Sequence, residues 1–177
     1  MKITKVFLAS SSELKEDRQE FENLVNSQNK DWVRRDAGAY LDLEHWEDFF
    51  DAMSQTRLQD QYNVAVRESD IFVMLFATKV GKYTEEEFET AFGQFKATNK
   101  PFIFTYFKNT QVDVATASES DLMSLWAFRK KLAALGHFPT VYKDVGDLKY
   151  HFDQQLDKLV ASGFIELTVG PGLAAAR

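Results

Sequence analysis

Apolar positions along the chain fall into short unbroken runs that alternate with segments of helical spacing. Lys5 to Ala9 (KVFLA) is the first run and reads as a strand, and Ser10, Ser11 and Ser12 follow as a loop. Glu13 to Asn26 then carries Leu14, Phe21, Leu24 and Val25 at near-helical intervals, with acidic residues in its first turn. Tyr40 to Leu43 is a weaker strand, Glu44 to Phe50 (EHWEDFF) an acidic, aromatic loop, and Ser54 to Glu68 a helix with Leu58, Tyr62, Ala65 and Val66 on one side. Ile71 to Ala77 (IFVMLFA) is the strongest strand; its apolar residues do not alternate with polar ones, the pattern of a strand covered on both faces. Glu85 to Ala97 reads as a helix with Phe88, Ala91, Phe92 and Phe95 as its inward stripe. Pro101 opens the next apolar run, Phe102 to Phe107 (FIFTYF), and Asn109 to Ser120 is loop. Leu122 to Leu135 is a helix closed by Gly136, Thr140 to Tyr142 a minimal fifth strand, and Gly146 to Ala161 the last helix.

Strands alternating with helices predict an α/β domain, a parallel sheet with helices on both faces and right-handed crossovers. The two apolar runs Ile71–Ala77 and Phe102–Phe107 should be central, and five strands in the flavodoxin-like order 2-1-3-4-5, a three-layer sandwich, fit best. The domain is expected over residues 1–167, with 168–177 (TVGPGLAAAR) as a linker or junction to a further module. A chain of 177 residues suits one such domain and needs no disulfide or metal staple.

Composition narrows the function. Hydrophobic residues make up 45% and charged residues 27%, the balance of a globular domain, and sixteen Phe predict an aromatic core. A net charge of −6 argues against nucleic acid as the main partner, because phosphate contacts need clustered Lys and Arg. The absence of Cys removes thiol catalysis and Cys-ligated zinc, and no apolar run approaches the roughly 18 residues of a membrane span, so a cytoplasmic protein is expected. His45, His137 and His151 are scattered without metal-ligand spacing and read as surface residues, so no metal site is expected.

In an open parallel sheet, ligands bind beyond the carboxyl ends of the strands where the strand order reverses, here between the first and third strands. Two loops frame that crevice: Ser10 to Glu13, and Thr78 to Thr84 leading into Glu85, Glu86 and Glu87. The first offers hydroxyls at a helix start, suited to ribose or phosphate, yet Ser10 with Glu13 also fits a simple capping box. The second carries Lys79, Lys82 and Tyr83, although surface lysines are commonly just solvated. On the following helix Glu86 and Glu89 point away from the Phe88 face, while Glu85 and Glu87 flank it at the boundary of core and cleft. A carboxylate there can be partly desolvated; equally, Thr84 to Glu87 reads as a capping box with no further role. No glycine-rich phosphate loop and no Ser-hydrolase elbow is present.

Taken together, KVFLASSSELKEDRQEF, YLDLEHWED, ESDIFVMLFATKVGKYTEEEFETAFGQF and KPFIFTYFK resemble the TIR (Toll/interleukin-1 receptor) domains of bacterial immune effectors and related TIR-like domains. The resemblance is good from Lys5 to Tyr106 and looser beyond. Its most specific part is Asp70, the run Ile71–Phe76, and Glu87-Phe88-Glu89-Thr90-Ala91. It implies cleavage of the nicotinamide–ribose bond of NAD+, giving ADP-ribose or a cyclic isomer, with NAD+ as substrate rather than cofactor. It also implies Glu87 as the catalytic carboxylate, and Ser10, Ser11, Trp46, Lys79, Tyr83 and Asp70 as the substrate-binding set. A role in anti-phage defence or nucleotide signalling, self-association through TIR–TIR contacts and a sensor module or activating ligand are further implications. Two alternatives stand beside it: a non-catalytic interaction module, in which Glu87 is only a cap, and a nucleoside deoxyribosyltransferase-like enzyme.

Overall fold

The computed structural model describes residues 1–45 and 58–168. Five parallel strands, β1 (Lys2–Ser10), β2 (Ala39–Glu44), β3 (Ile71–Phe76), β4 (Phe102–Lys108) and β5 (Thr140–Tyr142), form one sheet in the order β2-β1-β3-β4-β5. The crossover helices are α1 (Lys15–Arg34), α2 (Leu58–Glu68), α3 (Lys82–Thr98), α4 (Glu119–Ala134) and α5 (Val145–Ala161), with a single 3-10 turn at Ser12–Leu14 before α1. This is the flavodoxin-like three-layer arrangement expected from the sequence.

The two sides of β3 explain the layering. Ile71, Val73 and Leu75 face a core built with Phe21, Val25 and Trp32 of α1 and Leu148, Phe152 and Leu156 of α5. Phe72, Met74 and Phe76 face the opposite core, with Tyr62 and Val66 of α2, Phe88 and Ala91 of α3, and Phe128 and Leu132 of α4. All six residues of β3 are buried, because a central parallel strand has helices above and below. The second core is aromatic: Phe128 meets Phe76 and Phe88 edge-on at centroid distances of 5.5 and 5.1 Å.

Several details depart from the sequence reading. Helix α1 runs eight residues past Asn26, because Asn29 and Trp32 continue the buried stripe of Phe21 and Val25. Asn29 is polar yet buried: its Nδ2 donates to Leu41 O and its Oδ1 accepts from Leu41 N, both at 2.8 Å. One carboxamide thereby satisfies both outward backbone groups of Leu41 on the edge strand β2. Helix α3 begins at Lys82 rather than Glu85, with Gly81 as its N-cap and no side-chain cap. Phe95 is 37% exposed and does not join the inward stripe, and β4 is buried fully only at Thr105 and Tyr106. His45 is buried and His137 half-buried against Thr105, so neither is a free surface histidine. Gly136, at φ +71°, does close α4: its N–H donates to Ala133 O while His137 N–H reaches Leu132 O.

Thr168 belongs to the packed body, its N–H donating to Ala37 O and its hydroxyl to Asp36 O. The rest of the expected junction, 169–177, lies outside the described residues, as do most of the acidic loop and the start of the predicted Ser54–Glu68 helix. No described helix is long and apolar enough to cross a membrane. Among the described residues no cluster of three or more His, Asp and Glu is placed to hold a metal.

Replacing Asn29 by Ala takes the side-chain partner from a buried N–H and a buried C=O of Leu41 on β2. Asn29→Ala should cost about 2–4 kcal/mol in urea unfolding, well above a surface Asn→Ala change.

Candidate active site

Beyond the carboxyl ends of β1 and β3 lies a cleft of about 830 Å³. It opens where the order of strands reverses, so the crossovers from β1 and β3 leave toward opposite faces and cannot fill the gap between them. Its floor is Leu8 to Ser12 of β1 and the loop after it; one wall is Lys79 to Thr84 and Glu87, the other Lys15 and Arg18 of α1. Gln59 and Tyr62 of α2 and the first turns of α4 complete it.

Glu87 lies one turn into α3 and its side chain is 6% exposed. Thr84 lies inside the helix and its hydroxyl turns to Ser10 O at 3.4 Å, so the anticipated Thr84–Glu87 capping box is not formed. Burial in the cleft wall, with Glu86 adding like charge, pushes the Glu87 carboxyl up to about 7, against the donation it receives from Gln59 Nε2 at 3.5 Å. Its neighbours are accounted for elsewhere. Lys131 of α4 pairs with Glu85 at 2.9 Å and also with Glu89. Glu86, expected to point away from the Phe88 face, turns to α2 and accepts from Asn63 Nδ2 at 2.9 Å. Of the four glutamates at the head of α3, Glu87 is the one that lines the cleft, and among the described residues it has no ion-pair partner.

The opposite wall is positive. Arg18 is 4% exposed and donates from Nη1 to Ser10 Oγ at 2.9 Å. Lys15, Lys79 and Lys82 also face the cleft, beside the hydroxyls of Ser10, Ser11 and Ser12. Glu13 does not complete a capping box with Ser10. It reaches across the reversal point and accepts from Thr78 N (2.8 Å), Thr78 Oγ1 and Lys79 N (3.3 Å), with Ser11 Oγ also bonded to it at 3.2 Å. A single carboxylate thus ties the loop after β1 to the loop after β3 and sets the cleft's width.

Of the residues singled out from sequence, Glu87, Ser10, Ser11, Lys79 and Tyr83 come together here, Tyr83 at the rim with 60% of its surface exposed. Trp46 lies outside the described residues. Asp70 does not belong to the site. It precedes β3 and so sits at the amino edge of the sheet, a six-residue strand and roughly 20 Å from the cleft. There it accepts from Lys5 N (2.9 Å) and Lys100 Nζ (3.0 Å), tying β1 at Lys5 to the turn that leads into β4. Sequence reading missed Arg18 and Gln59. Both stand on apolar stripes, Arg18 between Leu14 and Phe21, and Gln59 below Tyr62 and Val66. A polar residue on a buried stripe is the signal that finds them.

The raised pKa of Glu87 has a consequence for stability. In the unfolded chain the group titrates near 4.5, and in the fold near 7, so folding favours the protonated form. Its contribution is fully present below about pH 4.5 and is lost as the pH climbs through 7. Glu87→Gln, which mimics the protonated carboxyl, should match the parent protein at pH 4 and exceed it by up to about 3 kcal/mol at pH 8. Thermal melts of the two proteins across this range check it; equal melting temperatures at pH 8 would mean a solvated carboxylate.

The sequence matches no family model and no curated protein. Among solved structures the fold is similar to that of the Clostridium botulinum CMP N-glycosidase BcmB, at 14% identity and a TM-score of 0.51, over 85% of this chain and 99% of that one. At that identity the likeness is one of fold.

Proposed function

We propose that this chain hydrolyses the N-glycosidic bond of a nucleotide, with Glu87 facing the ribose carbon from which the base departs. The observation that carries this reading is the buried Glu87 carboxyl in a cleft that is also lined by Lys15 and Arg18 of α1 and by Lys79 and Lys82 before and at the start of α3. As the C1′–N bond lengthens, positive charge grows on the ribose ring, and a fixed carboxylate in a poorly hydrated wall stabilises it far better than water does. The cations and serine hydroxyls of the same cleft suit the phosphates and ribose hydroxyls of that molecule.

NAD+ is the substrate we favour. The resemblance of the Asp70–Ala91 stretch to TIR enzymes supports it, and so does the make-up of the cleft. Nicotinamide leaves as a neutral molecule and needs no general acid. Among the described residues the cleft presents one buried carboxylate, Glu87, while Asp121 stands half-exposed at the start of α4. Water then captures the ribosyl cation to give ADP-ribose, or a nucleophile of the same nucleotide closes a ring. A second reading, a pyrimidine nucleoside monophosphate as substrate, is favoured by the fold neighbour, which is a CMP N-glycosidase and is covered over almost its whole length. Cytosine is a poorer leaving group and would require a proton donor at the base.

Incubating the concentrated protein with NAD+, CMP and cytidine, and following free base by chromatography, tests both. Nicotinamide release from NAD+ supports the first reading, cytosine release from CMP the second, and release from neither, even when the protein is forced to cluster, rejects hydrolysis. Glu87→Gln and Glu87→Ala should lower kcat by roughly 10³-fold or more.

The pH profile has a defined sign. The ionised carboxylate is the active form, so kcat/KM should rise about tenfold per pH unit below 7 and level off above it. A profile flat from pH 5 to 8 would remove Glu87 from that role.

A further inference from the structure

Four side chains of α2 and α3, joined by three hydrogen bonds, form a chain with a fixed direction. Glu86 Oε1 accepts from Asn63 Nδ2 at 2.9 Å; Asn63 Oδ1 accepts from Gln59 Nε2 at 3.3 Å; and the same Gln59 Nε2 donates to Glu87 Oε1 at 3.5 Å. Gln59 and Asn63 lie four residues apart on α2 and are both buried. A carboxamide presents either an oxygen or an NH2, and only its partners decide which. Glu86, when ionised, accepts and never donates. It therefore fixes which end of Asn63 faces it, which turns the Asn63 oxygen to Gln59, which in turn leaves a Gln59 N–H facing Glu87.

We propose that Gln59 is a positioning residue for Glu87, and that Glu86 sets its polarity from the next position on α3 by way of Asn63. This rests on the reading of Glu87 as the reacting carboxylate. Without the chain, the Gln59 amide could rotate and set its oxygen against the carboxylate, a repulsive contact in a dry wall. With it, the Glu87 carboxylate is held in one rotamer and its charged form is favoured against the cost of burial. The contact is long at 3.5 Å, and such bonds shorten when substrate closes a site. The arrangement also accounts for a run of glutamates in which two neighbours serve different ends: Glu86 orients and Glu87 faces the cleft. The other charged groups lining the cleft are Lys15 and Arg18 of α1, Lys79 of the β3–α3 connection, Lys82 of α3 and Asp121 of α4.

The test compares Gln59→Leu and Asn63→Leu, each close in size to the residue it replaces, with the parent protein. The Glu87 carboxyl is titrated directly by carbon-13 NMR, with Glu87→Gln to assign it, so the result does not depend on turnover. Both variants should raise the Glu87 pKa by about one unit, and Asn63→Leu should do so although Asn63 does not touch Glu87. If the enzyme is active, kcat should fall roughly tenfold in both with KM little changed, and the acid limb of kcat/KM should move upward with the NMR value. An unmoved titration in Gln59→Leu overturns the proposal, and a shift in Gln59→Leu without one in Asn63→Leu overturns the part assigned to Glu86 and Asn63. A shift in both variants of a protein that releases no base from any nucleotide upholds the positioning chain and rejects the hydrolase reading.

Discussion

Everything about the site depends on keeping the Glu87 carboxyl out of water with a neutral amide, Gln59, as its described partner. Burial raises the free energy of the charged form, and an ion pair would ordinarily relieve that. Helix α3 instead distributes its acids: Lys131 takes Glu85 and Glu89, and Asn63 takes Glu86. Glu87 is left with the weaker help of a neutral amide, and its pKa stands near 7. A carboxyl poised there is ionised to a useful extent at neutral pH and keeps most of its unrelieved charge for whatever positive centre comes beside it. The same tuning makes the folded protein less stable as pH rises, the usual relation between a prepared site and the stability of its scaffold.

The scaffold makes this possible through topology. Because β1 and β3 are neighbours whose crossovers depart to opposite faces, no helix covers the sheet's edge between them. That opening would collapse or widen with any slip of its two loops. Glu13 prevents this by binding the backbone of Thr78 and Lys79 from the far side of the gap. Deeper down, Asp17 does similar work behind the cleft wall, accepting from Tyr142 Oη at 2.7 Å and Lys108 Nζ at 2.9 Å and so locking β4 and β5 to α1. Neighbouring residues of α1 therefore divide the labour: Asp17 faces the sheet and Arg18 faces the cleft.

The fold was legible because β3 and β1 are apolar enough to be read without ambiguity, and because alternation of strand and helix admits few topologies. The position of the cleft followed from strand order alone. What sequence did not disclose was direction. Thr84 and Glu87 have the spacing of a capping box, and only the start of α3 at Lys82 puts both inside the helix and turns Glu87 to the cleft. Asn29, Arg18 and Gln59 interrupt apolar stripes, and periodicity counts such residues against a buried face although each is buried by means of a specific partner. Asp70 was misplaced for a related reason: adjacency to the central strand in sequence does not say which end of the sheet a residue occupies, and the residue before a parallel strand is always at the end away from the crevice.

The distribution of charge in the cleft favours a particular kind of ligand. The cleft carries four cations, Lys15, Arg18, Lys79 and Lys82, and one buried carboxyl, Glu87, whose described partner is the neutral Gln59 amide. A small anion would satisfy the cations and leave the carboxyl unused; a small cation would do the reverse. A molecule that carries phosphate at one end and develops positive charge at a sugar carbon a few bonds away satisfies both at once, and only as the bond to its base breaks. Complementarity of that sort is greater for the transition state than for the bound nucleotide, which is the condition for raising kcat rather than merely tightening binding.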